Sequence, residues 1–163
     1  MGYGEMFKCS KCGNEYDVCL GIGFLHPDVC REELKKIKKG KYGEDWKKLA
    51  LSEEYTVVDT ENFVYICGKC GHWVNENAVS LYAPKDAAKL KKKKYGIKTV
   101  EEWGEVPYIM DPKDFRLLKR KVHKCSKCGE LMHKATPEEI DNLPCPKCGG
   151  EKMKDYGNSF YWD

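Results

Sequence analysis

Hydrophobic and polar positions recur along this chain over short stretches, and each stretch predicts a short element. Val29 or Cys30, Leu34 and Ile37 fall at helical spacing; Pro27 opens that stretch and Gly40 closes it, which predicts a helix from Asp28 to Lys39. Trp46, Leu49 and Ala50 predict a second short helix over Glu44 to Leu51. Tyr55 to Ile66 is rich in Val, Thr, Phe and Tyr and reads as one or two strands. Trp73 to Tyr82 reads as the returning strand, with Ala78, Ser80 and Tyr82 on one face and Val79 and Leu81 on the other.

After Pro84 the character changes. Asp86 to Tyr95 is Lys-rich and predicts a helix, Val106 to Met110 a short strand, and Phe115 to Lys124 a basic strand. Thr136-Pro137-Glu138-Glu139 has an N-cap Thr, Pro at the first helical position and Glu at the third, so a short capped helix is expected before Pro144. The tail from Glu151 to Asp163 ends in Phe160, Tyr161 and Trp162, aromatics that either pack back on the sheet or form a contact surface.

Composition changes the picture in one respect. Of 163 residues, 41% are hydrophobic and 34% charged, which is thin material for a core, and ten are cysteines. Small domains with modest burial often depend on disulfides or metals. The start of the chain shows no basic region followed by an apolar run, and Met6 stands where a myristoylation signal needs Ser or Thr. A cytoplasmic protein with no membrane association is therefore expected, and paired cysteines in that compartment bind metal.

Eight of the ten cysteines fall in four copies of one pattern: Cys9-Ser-Lys-Cys12-Gly13, Cys67-Gly-Lys-Cys70-Gly71, Cys125-Ser-Lys-Cys128-Gly129 and Cys145-Pro-Lys-Cys148-Gly149. Two thiolates separated by two residues can face one tetrahedral ion from a tight turn, and two such knuckles close its coordination sphere. Cys125, Cys128, Cys145 and Cys148 have the C-x2-C-x16-C-x2-C spacing of a four-cysteine site. That leaves Cys9, Cys12, Cys67 and Cys70 to form the other site across 54 intervening residues, a gap tolerable because loop-closure cost grows only logarithmically. Sequential pairing makes each half self-contained. Crossed pairing, such as the first knuckle with the fourth, is the alternative.

These segments resemble zinc ribbons over residues 7–16 with 63–83, and over 122–156. The resemblance implies knuckle hairpins beside small antiparallel sheets. The expected fold is thus a small metal-stapled α+β protein: residues 1–83 form an N-terminal ribbon with a helical insertion at about 20–55, residues 84–121 a basic connector, and residues 122–163 a C-terminal ribbon. Cys9-Ser-Lys-Cys12-Gly13-Asn-Glu-Tyr16-Asp17 also resembles the first knuckle of rubredoxin, and Leu143-Pro144-Cys145-Pro146-Lys147-Cys148-Gly149 its second. Either this reflects shared knuckle geometry, or knuckles one and four form one site. The start of the chain, with Gly21-Ile22-Gly23-Phe24, looks like a group of bacterial double zinc-ribbon proteins, a likeness that implies no function.

Two Zn2+ ions are expected, with Fe the alternative, since four thiolates suit either. A closed four-thiolate site offers no position for water, so metal-assisted hydrolysis is not expected, and no Ser-His-Asp order, phosphate loop or His-Glu-x-x-His motif is present. No catalytic residue and no small-molecule substrate is assigned. Cys19 and Cys30 read as buried or partly buried free thiols; the sharper alternative is a regulatory or catalytic pair, with Cys30 activated in the first turn of its helix. His26, His72, His123 and His133 are expected on the surface or beside the ligands, because eight thiolates already suffice.

Net charge is only +3, but it is unevenly spread. Residues 1–83 carry 11 Lys and Arg against 13 Asp and Glu; residues 84–163 carry 18 against 13. Lys91, Lys92, Lys93, Lys94, Lys119, Arg120 and Lys121 are the candidate phosphate contacts, with Trp103 and Tyr108 interleaved for stacking. The expected function is non-enzymatic binding of nucleic acid or of a protein of the transcription or translation machinery. Rubredoxin-like electron transfer through iron and zinc-thiolate redox sensing are the alternatives.

Overall fold

The computed structural model describes residues 2–109, 111–153 and 159–162, with the side chains of residues 152 and 153 left aside. It is a small α+β fold built on antiparallel sheets. In chain order the elements are β1 (Gly2–Cys9), β2 (Glu15–Leu20), α1 (His26–Lys38), α2 (Glu44–Leu51), β3 (Val57–Cys67), β4 (Trp73–Pro84), α3 (Ala87–Lys91), β5 (Lys94–Tyr95), β6 (Lys98–Thr99) and α4 (Val100–Trp103). A 3-10 turn at Pro112–Asp114 precedes β7 (Phe115–Arg120), β8 (Met132–Lys134), α5 (Pro137–Asp141), β9 (Lys152–Met153) and β10 (Ser159–Trp162).

One sheet has the order β10-β1-β2, with β9 also pairing β1; the second has the order β7-β4-β3-β8; β5 and β6 form a separate hairpin. The residues group into two compact units; the chain passes from one to the other after Lys121, at the expected start of the C-terminal ribbon, and after Ala78 where 83 was expected. Met1–Phe24, Glu61–Ala78 and Val122–Asp163 form one, and Leu25–Thr60 with Val79–Lys121 the other. β3 and β4 contribute residues to both, and residues 84–121 belong to the same unit as α1 and α2.

In the first unit Phe7, Val18, Val64, Trp73, Ala135 and Leu143 are buried together, with Tyr16 and Ile140 packed against them. The Tyr16 ring lies 5.6 Å from Phe7 and 5.9 Å from Trp73, and the Trp73 indole N–H donates to the Pro144 carbonyl at 2.8 Å. Each such apolar side chain contributes about 1.5–3 kcal/mol when fully buried. In the second unit one cluster holds Ile37, Trp46, Ala50, Val58, Val79 and Leu81, and another holds Val57, Leu90, Val100, Val106 and Phe115.

Several predicted elements form as read. Gly40, at φ 82°, closes α1, whose buried residues include Cys30 and Ile37. α2 spans Glu44–Leu51 with Trp46 and Ala50 buried, and α5 carries the full Thr136–Glu139 capping box. β3 is one strand. Val79 and Leu81 of β4 are buried, but so is Ser80, because both faces are covered there.

Three readings are corrected. The Lys-rich helix stops at Lys91, because Lys94–Tyr95 turns back on Lys98–Thr99 around Gly96 at φ 62°. A two-residue turn accepts glycine at a positive-φ position, and the β5–β6 hairpin takes the residues the helix would have used. No strand forms over Val106 to Ile109; the last residue of that expected strand, Met110, lies outside the described residues. The basic strand, β7, ends at Arg120 and pairs with β4 from Ser80 to Pro84, rather than leading into the third knuckle.

Candidate metal centres

All four Cys-x-x-Cys segments fold into the same turn. The first Cys donates its backbone N–H five residues forward, to Asn14, His72, Glu130 and Gly150 respectively, each at 2.8 Å. The glycine after the second Cys donates back to the first Cys carbonyl at 2.8–2.9 Å. That glycine has φ between 68° and 74° in every copy, a conformation costly for any side chain with a Cβ. The repeated Gly is thus a requirement of the turn.

The structure pairs these turns in a nested order. Cys9, Cys12, Cys145 and Cys148 form one group; Cys67, Cys70, Cys125 and Cys128 form the other. The sequential grouping of Cys9, Cys12, Cys67 and Cys70, and of Cys125, Cys128, Cys145 and Cys148, is therefore corrected. The outer pairing is the one left open by the two rubredoxin-like segments.

Strand register accounts for the difference. β1 runs into the first knuckle, and Cys9 stands opposite Lys152, four residues beyond Cys148. β3 runs into the second knuckle, and Cys67 stands opposite Met132, four residues beyond Cys128. Both groups are thus built the same way. The strand entering one knuckle pairs with the strand leaving the other. The sixteen residues between Cys128 and Cys145 cannot also bring their own knuckles together, because β8 spends them on β3 and α5 on its capped turn, and Leu143 enters the core beside Trp73. Two further contacts join the outer knuckles: the Ser10 hydroxyl donates to the Glu151 carbonyl at 3.3 Å, and a Cβ added at Gly150 would lie 3.0 Å from Lys11.

The sulfur geometry fits a metal. A tetrahedral ion with metal–sulfur bonds of about 2.3 Å needs sulfurs about 3.8 Å apart. Sγ separations are 3.5 Å for Cys9–Cys148, 3.8 Å for Cys12–Cys145, 3.5 Å for Cys67–Cys128 and for Cys70–Cys125, and 3.7 Å for Cys70–Cys128. In each group all four ligand atoms lie within 4.8 Å of one another. A disulfide would need about 2.05 Å, so the thiols are gathered without being bonded. The first Cys of every knuckle is buried and the second is exposed.

The backbone favours thiolate at Cys9, Cys67 and Cys125. The Cys12 amide, with that of Lys11, brings the Cys9 thiol down to about 6 against the effect of its burial. The Cys70 amide does the same for Cys67, to about 7. Cys128 is pulled down by the Glu130 amide but held up, to about 12, by hydrogen bonding with Cys67 and by burial. Four sulfurs this close cannot all ionise without a cation, and a divalent ion would supply the missing charge.

The remaining candidates lie elsewhere. No histidine joins either group among the described residues. His72 meets the Ser126 hydroxyl at 3.2 Å, His123 lies 3.2 Å from Glu76 and stacks on Tyr65 at 3.6 Å, and His133 lies 2.9 Å from Glu139. Cys19 falls in the first unit and Cys30 in the second, and both are free thiols. Cys30 is 2% exposed, and burial pushes its thiol up to about 11, outweighing any help from the helix terminus.

The basic candidates all fall in the second unit. Lys91 pairs with Glu54 at 2.6 Å, Lys93 with Asp114, and Lys119 with Asp45 at 3.7 Å, while Arg120 donates to the Ser80 hydroxyl at 3.3 Å. Lys121 donates its backbone N–H to Val79. The side chains of Lys92 and Lys94 are exposed and make no hydrogen bond or ion pair among the described residues. No helix among those residues is long and apolar enough to cross a membrane.

Fold and site together define a small α+β protein with two four-cysteine groups able to hold metal ions. No protein-family model, no curated protein and no solved structure matches this chain.

Proposed function

We propose that this chain is a non-enzymatic double zinc-ribbon protein, with one Zn2+ held by Cys9, Cys12, Cys145 and Cys148 and another by Cys67, Cys70, Cys125 and Cys128. The observation that carries the reading is the repeated register, Cys9 opposite Lys152 and Cys67 opposite Met132, beside sulfurs at tetrahedral-edge spacing. Four protein thiolates complete the sphere and leave no position for water or substrate, so the ions act as staples and not as Lewis acids. With the metals holding the hairpins, function falls to the surface, and nucleic acid is the partner that Lys92, Lys94 and Lys98 favour.

Metal analysis of purified protein tests this. About two zinc ions per chain and a colourless solution are expected. Red protein with iron and a reversible one-electron couple would instead establish electron transfer.

Exposure of Cys12, Cys70, Cys128 and Cys148 favours one second reading, a zinc-thiolate redox sensor, because exposed thiolates meet oxidants first. Mild peroxide would then release zinc in step with loss of free thiols, and unchanged metal content would remove this reading.

A further inference from the structure

The second unit carries a surface that the metal groups do not use. Thr99 caps α4 with a complete capping box: its hydroxyl accepts from the Glu102 amide at 3.2 Å, and the Glu102 carboxylate accepts from the Thr99 amide at 2.6 Å. This fixes α4 directly against β6. The Trp103 indole N–H donates to the Tyr95 carbonyl at 3.2 Å, so the ring is tied to β5. Tyr95 meets Trp103 edge-on at 6.1 Å and Tyr108 at 5.4 Å.

The result is a held aromatic group that stays open to solvent. Trp103 is 45% exposed, and Ile97 at the hairpin tip is 91% exposed. Lys98 Nζ sits 5.5 Å from the Trp103 ring centroid. Lys91 and Lys93 of the same run are neutralised by Glu54 and Asp114, whereas Lys92, Lys94 and Lys98 have no carboxylate within ion-pair distance among the described residues. Of the nearby acids, Glu105 pairs with Arg31 at 3.1 Å, and the Glu102 carboxylate, engaged in the cap, also feels the charges of Lys98 and Lys94 without pairing with either.

We propose that the β5–β6 hairpin with Trp103 is a stacking platform for single-stranded nucleic acid, in which a base lies on the indole beside Ile97 and the backbone phosphates meet Lys92, Lys94 and Lys98. The inference rests on the reading that this chain binds nucleic acid, and it moves the contact away from Lys91, Lys93, Lys119 and Arg120. An acidic peptide would satisfy the three ammonium groups but has no use for an exposed indole with Lys98 against it; a nucleotide matches both at once. A duplex hides its base faces, so single strands are preferred.

Fluorescence anisotropy of labelled oligothymidylate and oligouridylate of about 12 nucleotides, at about 50 mM salt with the whole metal-loaded chain, tests it. Trp103→Ala is expected to weaken binding about tenfold or more. Lys94→Gln with Lys98→Gln should flatten the slope of log affinity against log salt by about 1.4, at about 0.7 for each phosphate no longer neutralised. Ile97→Glu, at a position with almost no packing to lose, should weaken binding even if Trp103→Ala fails to fold. Wild-type protein that binds no strand at low salt defeats the nucleic-acid reading and this inference with it. Binding that survives all three variants, or that falls only with Lys119→Gln and Arg120→Gln, overturns the hairpin alone. Equal binding to duplex, or full displacement of the oligonucleotide by polyglutamate at matched charge, overturns the stacking role.

Discussion

Cys9 and Cys148 lie 139 residues apart in the chain and 3.5 Å apart at their sulfurs. Their partners Cys12 and Cys145 are 3.8 Å apart across 133 residues. The outer cysteine group therefore spans Cys9 to Cys148, and the inner group, Cys67 to Cys128, is nested within it. A staple that closes so long a loop removes much of the freedom of the unfolded chain, which suits a protein with small separate cores.

The Asn75 side chain hydrogen-bonds across the two hairpins of the first unit. Asn75 accepts from the Cys19 amide at 2.7 Å and donates to the carbonyls of Cys19 at 2.8 Å and Phe63 at 3.0 Å. Asn75→Ala leaves those backbone groups without their partner. At about 1–3 kcal/mol for each unsatisfied buried group, and with partial access to water, a loss of about 2 kcal/mol is expected in urea unfolding of the metal-loaded protein. A change below about 0.5 kcal/mol, the range of an ordinary surface substitution, would show that the Gly21–Asn62 bridge suffices to hold the hairpins together.

Glycine at position 4 makes room for the tail. A Cβ there would lie 2.5 Å from the Phe160 ring, and one at Gly2 2.6 Å from Trp162. Gly4→Val is expected to displace β10 from β1 and cost about 1–3 kcal/mol, the range for overpacking. Hydrogen exchange at the amides of Ser159 to Trp162 should then be faster than in the wild type. Unchanged exchange in the variant would mean that Phe160 repacks without leaving the sheet.

Cys30 is expected to be the least reactive cysteine outside the metal groups. Its pKa is pushed up to about 11 by burial from an ordinary 9.0, with Thr60 pulling the other way. The folded protein thus keeps a proton that the unfolded chain gives up. The stabilising contribution is whole below about pH 9 and is lost as pH rises towards 11. Alkylation at pH 8 should modify Cys19 before Cys30, and the stability gap between wild type and Cys30→Ala should narrow from pH 8 to pH 10. Cys30 reacting as fast as a free thiol would contradict this placement.

Local chemistry was legible in the sequence; long-range pairing was not. The Cys-x-x-Cys-Gly turns, the Thr136 capping box and the α2 boundaries each depend on a few neighbouring residues, so a reading of neighbours recovers them. Any two of the four knuckles can complete a tetrahedron, and knuckle spacing does not say which. The choice lies in register, Cys9 with Lys152 and Cys67 with Met132, and in Leu143 packing beside Trp73, contacts between residues far apart in the chain. The β5–β6 hairpin was missed for a related reason. Lysines favour a helix, and the signal against it was a single Gly96 before Ile97.

The nested pairing is tested most directly by locating the thiols freed when one knuckle is removed. In the Cys9→Ser, Cys12→Ser variant, metal content should fall by one ion per chain. Cys145 and Cys148 should become open to alkylation, while Cys67, Cys70, Cys125 and Cys128 stay protected, as read by mass spectrometry of the labelled peptides. Exposure of Cys67 and Cys70 instead, with Cys145 and Cys148 still protected, would contradict the arrangement described here.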